Sequence, residues 1–162
     1  MERVTSFAQA AESHLDDVYG YLAWFTGDRF LAEDLAAETF ERALRLWPRF
    51  DPKRGSARTW LCQVARTTAL DHFRSEKRRQ RREQLAAAPE RFEERPLEGL
   101  SPELEAALRR LTAGEREVIA LRIVLDFDAR SAAGMLGISP TNCTTRLNRA
   151  LAKLEEALDV AA

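Results

Sequence analysis

The sequence predicts an all-α fold: two small helical domains joined by a flexible linker, the C-terminal one containing a helix-turn-helix. Three observations carry this. Ala, Leu, Glu and Arg dominate, and apolar residues recur at helical spacing with no strand-like alternation. Breaks rich in Gly, Pro and Asp ("TGD", "PRFDPKRGS", "TAGE", "LGISP") punctuate the chain at helix-length intervals. From residue 86 to 100, "AAAPERFEERPLEGL" holds two prolines and four glutamates and lacks an apolar stripe. The 162 residues accommodate two small domains, set by these signals at 1–85 and 101–162.

In order, a first helix is expected from Ser6 to Phe25, ended by "TGD". A second spans Leu31 to Trp47, with Leu31, Leu35, Phe40 and Leu44 on its inner side. The two prolines and glycine of "PRFDPKRGS" then break the chain, and a long third helix starts at Ser56 or Ala57. Its stripe is Trp60, Leu61, Val64, Ala65 and Phe73 before it runs into "RSEKRRQRRE". After the linker, Ser101 is a cap with Pro102 in the first helical turn. Thr112 and Glu115 have the spacing of a capping box. The helix they open carries Val118, Ile119 and Ile123, with Leu121 and Leu125 widening the apolar face. A short helix from Asp128 to Leu136 leads through Gly137 to a last helix capped by Ser139, with Pro140 in its first turn.

Composition narrows the functions. Net charge is −1, so no global positive field draws the chain onto nucleic acid. Six cations are nevertheless concentrated within nine residues: Arg74, Lys77, Arg78, Arg79, Arg81 and Arg82. That is more than a helix C-terminus requires and favours phosphate contact. The N-terminus lacks the basic-then-apolar order of a signal peptide, and no run approaches the roughly 20 apolar residues of a membrane span, so no membrane insertion is expected. Cys62 and Cys143 are far apart without a CxxC, and the histidines are only His14 and His72, so a reduced cytoplasmic thiol pair is expected and no metal or other cofactor. With no phosphate loop and no nucleophile–base pair, an enzyme is not the expected reading.

The stretch "GMLGISPTNCTTRLNRALAKL" reads as the turn and second helix of a helix-turn-helix. Ala133 and Gly137 allow close approach and the turn, and Leu136, Ile138, Cys143 and Leu147 point inward. The outward face is Thr141, Asn142, Thr144, Thr145, Arg146, Asn148 and Arg149, which suits base edges and phosphates. A plain helical hairpin is the rival reading. All three Trp, both Tyr and six of eight Phe precede residue 75. Most are core; those bordering "FDPKRGSARTW" also fit single-stranded DNA, whose bases stack on rings while cations hold the backbone.

"GDRFLAEDLAAETFERAL", "FDPKRGSARTWLCQVARTTALDHFRSEKRR", "LTAGEREVIALRIV" and "AAGMLGISPTNCTTRLNRALAKL" stand in the order seen in extracytoplasmic-function sigma factors of bacterial RNA polymerase, which this chain resembles over nearly its whole length. The resemblance implies a two-domain initiation factor. The first domain would bind the clamp helices of the beta-prime subunit through Asp34, Leu35, Glu38, Thr39 and Arg42. It would also recognise and melt the −10 element through Lys53, Arg54, Ser56, Ala57, Arg58 and Trp60 of the base-capturing loop, and Arg66, Thr67, Asp71, Arg74, Lys77 and Arg78 of the third helix. In that loop Ser56, Ala57 and Arg58 are expected to line a pocket for one flipped base, with Trp60 as anchor. The second domain would sit on the beta flap and read the −35 element with Ser139, Thr141, Asn142, Thr144, Thr145, Arg146 and Arg149. Core polymerase, promoter DNA and an anti-sigma protein are the partners implied.

Three departures from the family pattern stand out. Thr67 occupies the Asn position of the "RNxAxD" stretch, Thr144 and Asn148 stand where Lys and His are frequent, and "DFDARSAAGML" replaces "GLSYEEIAEIL". The alternative function is a two-domain regulator whose helix-turn-helix binds an operator without polymerase. It leaves the basic third helix without a role.

Overall fold

The computed structural model describes residues 6–84 and 101–161, all of whose regular structure is helical. Helix α1 (Phe7–Thr26) starts at Ser6, whose side chain accepts from the Gln9 N–H while Gln9 reaches back to the Ser6 N–H. It ends at Gly27, in the left-handed region at φ 68°, whose N–H returns to the Ala23 carbonyl. Asp28 then caps α2 (Arg29–Leu46) by accepting from the N–H groups of Phe30 and Leu31. A 3-10 turn (Trp47–Arg49) and a loop lead to α3 (Ala57–Glu83), capped by Ser56.

Helices α1, α2 and α3 pack mutually. Val18, Leu22 and Phe25 meet Leu35 and the small residues Ala32, Ala36 and Ala43 of α2, with Leu61, Cys62, Ala65 and Ala69 of α3. Thr39 and Thr68 are buried there too, each hydroxyl donating to a carbonyl four residues back, Leu35 at 2.6 Å and Val64 at 2.9 Å. The inner stripe of α2 therefore runs through Ala32, Leu35, Ala36, Thr39 and Ala43. Leu44, expected inside, follows Ala43 by one residue, turns about 100° away and is 58% exposed.

The C-terminal half comprises α4 (Pro102–Arg109), α5 (Ala113–Ile119), a π-helical turn (Ala120–Val124), α6 (Ala129–Leu136) and α7 (Pro140–Ala161). Ser101 and Thr112 cap as expected, accepting from the N–H groups of Leu104 and Glu115. The second arm of the expected capping box differs, because Glu115 accepts from the Thr112 hydroxyl at 3.0 Å. The π turn closes with Leu125 N–H donating to Ala120 O and Phe127 N–H to Leu121 O. That extra residue per turn changes the phase of the apolar face. Leu121 and Leu125 stay buried, whereas Ile123, expected inside, is 56% exposed. Asp126 takes φ 55°, a conformation that Asp tolerates, and lets Phe127 fold back into the core.

The two halves are in direct contact. Helix α1 packs on α5 and on the π turn as well as on α2 and α3. One apolar cluster consequently runs from Leu22 and Phe25 through Val118 and Leu121 to Cys143 and Leu147. Both cysteines are free and buried, and burial pushes the Cys62 thiol up to about 12. The linker expected at 86–100 lies outside the described residues. Among the described residues, no helix is long and apolar enough to cross a membrane, and no group of three or more His, Cys, Asp or Glu is placed to hold a metal ion.

Gly137 joins α6 to α7 at φ 67°, with open space where a Cβ would stand. Gly137→Ala thus meets only backbone strain and should cost roughly 1–2 kcal/mol in urea denaturation, without displacing any side chain. An unchanged midpoint would show that the turn relaxes.

Candidate nucleic-acid interface

Helix α6 begins at Asp128, whose carboxylate accepts from the Ser131 N–H at 2.7 Å; this bond holds its pKa below the usual carboxylate value. It closes with the Gly137 and Ile138 N–H groups both directed at the Ala133 carbonyl. Ser139 accepts from the Asn142 N–H at 3.1 Å and starts α7, with Pro140 at the first position. Cys143, Leu147 and Ala150 face inward, while Thr141, Asn142, Thr144, Thr145, Arg146, Asn148 and Arg149 are all exposed. The outward strip read from the sequence is thus a continuous polar face.

Along that face runs a groove of about 530 Å³ lined by Glu115, Asn142, Thr145, Arg146, Arg149, Ala152 and Lys153. Lys153 was missed in the sequence reading, although it follows Arg149 at the i+4 spacing that keeps side chains on one face. Its ammonium donates to Glu115 at 2.9 Å. Burial opposes ionisation of Glu115, but the bonds from Lys153 and Thr112 outweigh it and hold the carboxyl below its usual value.

In the N-terminal half, Asp51 organises the loop by accepting from the Lys53 N–H at 2.9 Å, and the Arg54 N–H donates to the Asp51 carbonyl. The floor beside it is aromatic. Trp47 stacks on Phe50 at 4.8 Å and 19°, and Trp60 meets both rings, at 5.7 and 5.3 Å. Phe50 and Trp60 wall a second cavity of about 530 Å³, lined also by Arg49, Asp51, Arg54, Gly55, Ser56, Thr59 and Gln63. Ser56, expected in such a pocket, lines it, and Arg54 and Trp60 line it as well. Lys53, Ala57 and Arg58 do not; Arg58 turns the other way, ion-paired with Asp17 at 2.8 Å, donating to the Leu125 carbonyl and lying 4.3 Å from the Phe127 ring centre. Thr59 and Gln63, which follow Ser56 at three- and seven-residue spacing, supply that wall of the cavity instead.

Farther along α3 the expected residues divide. Arg74, Lys77 and Arg78 are exposed, Arg74 by 71%. Thr67 is exposed beside a smaller cavity shared with Arg42, Leu46, Trp60, Gln63 and Val64, its hydroxyl donating to the Gln63 carbonyl. Asp71 is held by Arg42 at 2.9 Å. Arg66 is directed to Glu117 of the other half at 2.5 Å. On α2, Asp34 and Glu38 are exposed, and Glu38 is also bonded to Arg42 at 3.1 Å. Leu35 and Thr39, expected on the partner-facing side, are buried in the three-helix core and present nothing to a partner. A threonine that satisfies its hydroxyl on its own helix is no obstacle to burial.

Residues 10–79 match the family model of sigma-70 region 2, and residues 101–154 that of sigma-70 region 4. The chain is 34% identical over 138 residues to the ECF RNA polymerase sigma factor SigC of Mycobacterium tuberculosis, covering 83% of this chain and 73% of SigC. The chain belongs to the ECF sigma factors of RNA polymerase. It is 33% identical over 162 residues to the ECF sigma factor BldN of Streptomyces coelicolor, an alignment that takes in 94% of this chain and spans 60% of the length of BldN. Among solved structures it is similar to the sigma factor RpoE in complex with the anti-sigma factor NepR from Bartonella quintana, with TM-score 0.77, 25% identity, and 98% of this chain and 100% of that one covered. It is also similar to CnrH in complex with the cytosolic domain of CnrY, with TM-score 0.70, 28% identity, and 96% and 89% covered.

The Glu115 carboxyl, lowered in the fold, stabilises it above the unfolded value near 4.5 and loses that contribution as pH falls through the lower folded value. Thermal melts should therefore drop more steeply below pH 4.5 for the parent than for Glu115→Gln. Parallel curves would remove Glu115 from the stability of the groove.

Proposed function

We propose that this ECF sigma factor brings core RNA polymerase to promoters by reading a −35 element with α7 and opening a −10 element with α3 and its preceding loop. The observation that carries the reading is the exposed polar strip of α7, from Thr141 to Arg149, set behind the Gly137 turn. Such a strip presents hydroxyl, amide and guanidinium donors to the edges of a major groove. The aromatic-walled cavity supports the second role: Trp60 and Phe50 offer ring faces, and Asp51, Thr59 and Gln63 offer hydrogen-bonding groups to one unstacked base. Exposed Arg74, Lys77 and Arg78 extend from it as phosphate contacts.

In this reading residues 1–85 form the polymerase-binding and melting domain, 86–100 the linker, and 101–162 the −35 domain that rests on the beta flap. The clamp contact falls to Asp34 and Glu38, whose carboxylates are exposed on α2. The factor acts in the cytoplasm, by binding rather than by catalysis and without a cofactor. An anti-sigma protein is a further partner, since the similar RpoE and CnrH were each solved with a protein partner, NepR named as an anti-sigma factor. Operator binding without polymerase leaves the exposed end of α3 and the cavity unused.

Run-off transcription with core polymerase on a randomised promoter library tests the whole reading, and absence of any selected promoter overturns it. On the same templates, Asp34→Lys with Glu38→Lys should abolish co-purification with core while helicity is retained. Full pull-down by the folded double variant would move the clamp contact elsewhere. Arg146→Ala and Arg149→Ala should each weaken −35 recognition by roughly 1–3 kcal/mol where the contact is bidentate. Templates melted in advance across the −10 region should be spared; equal loss on both would assign the arginines to folding or polymerase contact.

A further inference from the structure

The polar groups around the aromatic-walled cavity differ in what they can discriminate. Hydroxyls and amides take either side of a hydrogen bond, so Ser56, Thr59 and Gln63 accommodate a base edge of any pattern. The Ser56 and Thr59 hydroxyls are moreover bonded to each other at 3.0 Å. Arg49 and Arg54 donate only, and both are exposed, the Arg54 side chain by 89%, which suits them to the phosphates on either side of a base. Among the side chains that line the cavity, Asp51 is the one that only accepts. A carboxylate takes hydrogen from a base and gives none.

The loop fixes how that carboxylate is presented. Oδ1 accepts from the Lys53 N–H at 2.9 Å and closes the turn, which the Arg54 N–H ties a second time to the Asp51 carbonyl at 3.0 Å. Oδ2 has the Arg54 guanidinium at 3.9 Å, beyond hydrogen-bond reach, and keeps its accepting capacity for an occupant. A base that covers Oδ2 without donating to it removes water from a charge and supplies no bond in its place, which costs more than the same loss at a neutral group. Cytosine, adenine and guanine each carry an exocyclic amine that donates. Thymine carries none: its single ring N–H lies between two carbonyl oxygens, and both repel an approaching carboxylate.

We infer that Asp51 is the specificity-determining residue of this cavity: its free carboxylate oxygen admits an unstacked base bearing an exocyclic amine and refuses thymine. This rests on the sigma-factor reading for the source of the base, an unpaired −10 strand, and not for the chemistry of the choice. Size does not decide, since a cavity of about 530 Å³ takes purine and pyrimidine alike. The rings of Phe50 and Trp60 do not decide either, because every base has a face to stack. Discrimination comes down to the polarity of one atom, and turning that atom from acceptor to donor removes it.

Asp51→Asn makes that change with the turn kept, since the amide oxygen still accepts from the Lys53 N–H while the amide nitrogen replaces Oδ2 as a donor. The full chain is assembled with core polymerase on promoters randomised across the −10 element and scored by run-off transcription. For the parent, thymine should be depleted about tenfold at one −10 position, the loss expected for one unpaired charged acceptor. In Asp51→Asn that depletion should vanish, with the other positions and the −35 preference unchanged. The parent is also given templates with cytosine, 5-methylcytosine or thymine at that position. The second has the methyl group of thymine and the amine of cytosine, and should be transcribed like cytosine. Finally, free chain is titrated with single-stranded pentamers that carry one base among abasic residues, followed by tryptophan fluorescence. The cytosine pentamer should bind about tenfold tighter than the thymine pentamer, and Asp51→Asn should close the gap.

A parent that admits thymine at every −10 position, or a pool identical for parent and Asp51→Asn, overturns the assignment. So does 5-methylcytosine behaving as thymine does, which would place the choice in a clash with the methyl group. A gain by Asp51→Asn that all four bases share is the effect of one lost negative charge and overturns it equally. If Asp51→Asn disturbs the loop, the 5-methylcytosine comparison, made on the parent, carries the test. If neither chain selects a promoter, the pentamers decide. A preference for amine-bearing bases that Asp51→Asn removes upholds the role of the carboxylate while the polymerase reading fails; equal binding of all four pentamers, or of none, ends both.

Discussion

The carboxylate of Glu117 lies inside an apolar seam, bonded to a tyrosine and an arginine of the other half, and the relation between the two halves follows from how that charge is satisfied. A carboxylate in low dielectric costs several kcal/mol unless its bonds are complete, whereas in water it costs nothing. The closed arrangement is thus stable only when its geometry is right and dissolves cleanly when it is not. A purely apolar seam would tolerate sliding. Tyr21 matters here because it is shared: it lies in the cluster that joins α1 to its neighbours and also supplies the hydroxyl at the seam. Helix α1 is buried on two sides, and its fold-holding and half-joining residues are the same few.

How legible this was depended on the range of the interactions. Caps are local, and Ser101, Thr112 and Ser139 act where the sequence put them, while Ser6 and Ser56, read as helix starts, cap α1 and α3. The exposed face of α7 was legible because an amphipathic helix of this length repeats its pattern several times. Leu44 and Ile123 were misplaced by a single residue of phase, in one case because alanines rather than leucines form the stripe, in the other because a π turn inserts a residue. The fates of Arg58 and Arg66 were not legible at all. Their partners lie 67 and 51 residues away, and no periodicity encodes such a pairing.

The base cavity falls between these cases. Its aromatic wall was anticipated from Trp60 and the flanking loop, yet beside Arg54 and Ser56 its polar wall includes Asp51, Thr59 and Gln63. Asp51 folds the loop back through the N–H groups of its own turn, so Arg54 and Ser56 reach the cavity whereas Lys53 does not and Arg58 turns to the seam. Side-chain direction in a short turn is set by which backbone donors are capped. Composition does not reveal that.

A chain of net charge −1 whose reading face offers Arg146 and Arg149, with Lys153 of the same groove tied to Glu115, is poorly equipped to hold DNA alone. Electrostatic affinity scales with the number of phosphates neutralised, so these few cations provide discrimination without much residence. The same logic extends to the other half, since Arg58 and Arg66 are ion-paired and largely covered, which lowers the number of phosphates the free chain can engage. A factor meant to be delivered to promoters by a larger enzyme gains from this. Weak binding in isolation keeps it off the many non-specific sites of a chromosome, and affinity then arises in the assembly. Low charge on α7 and the engaged cations on α3 are two expressions of one requirement: DNA should be recognised by the complex and ignored by the part.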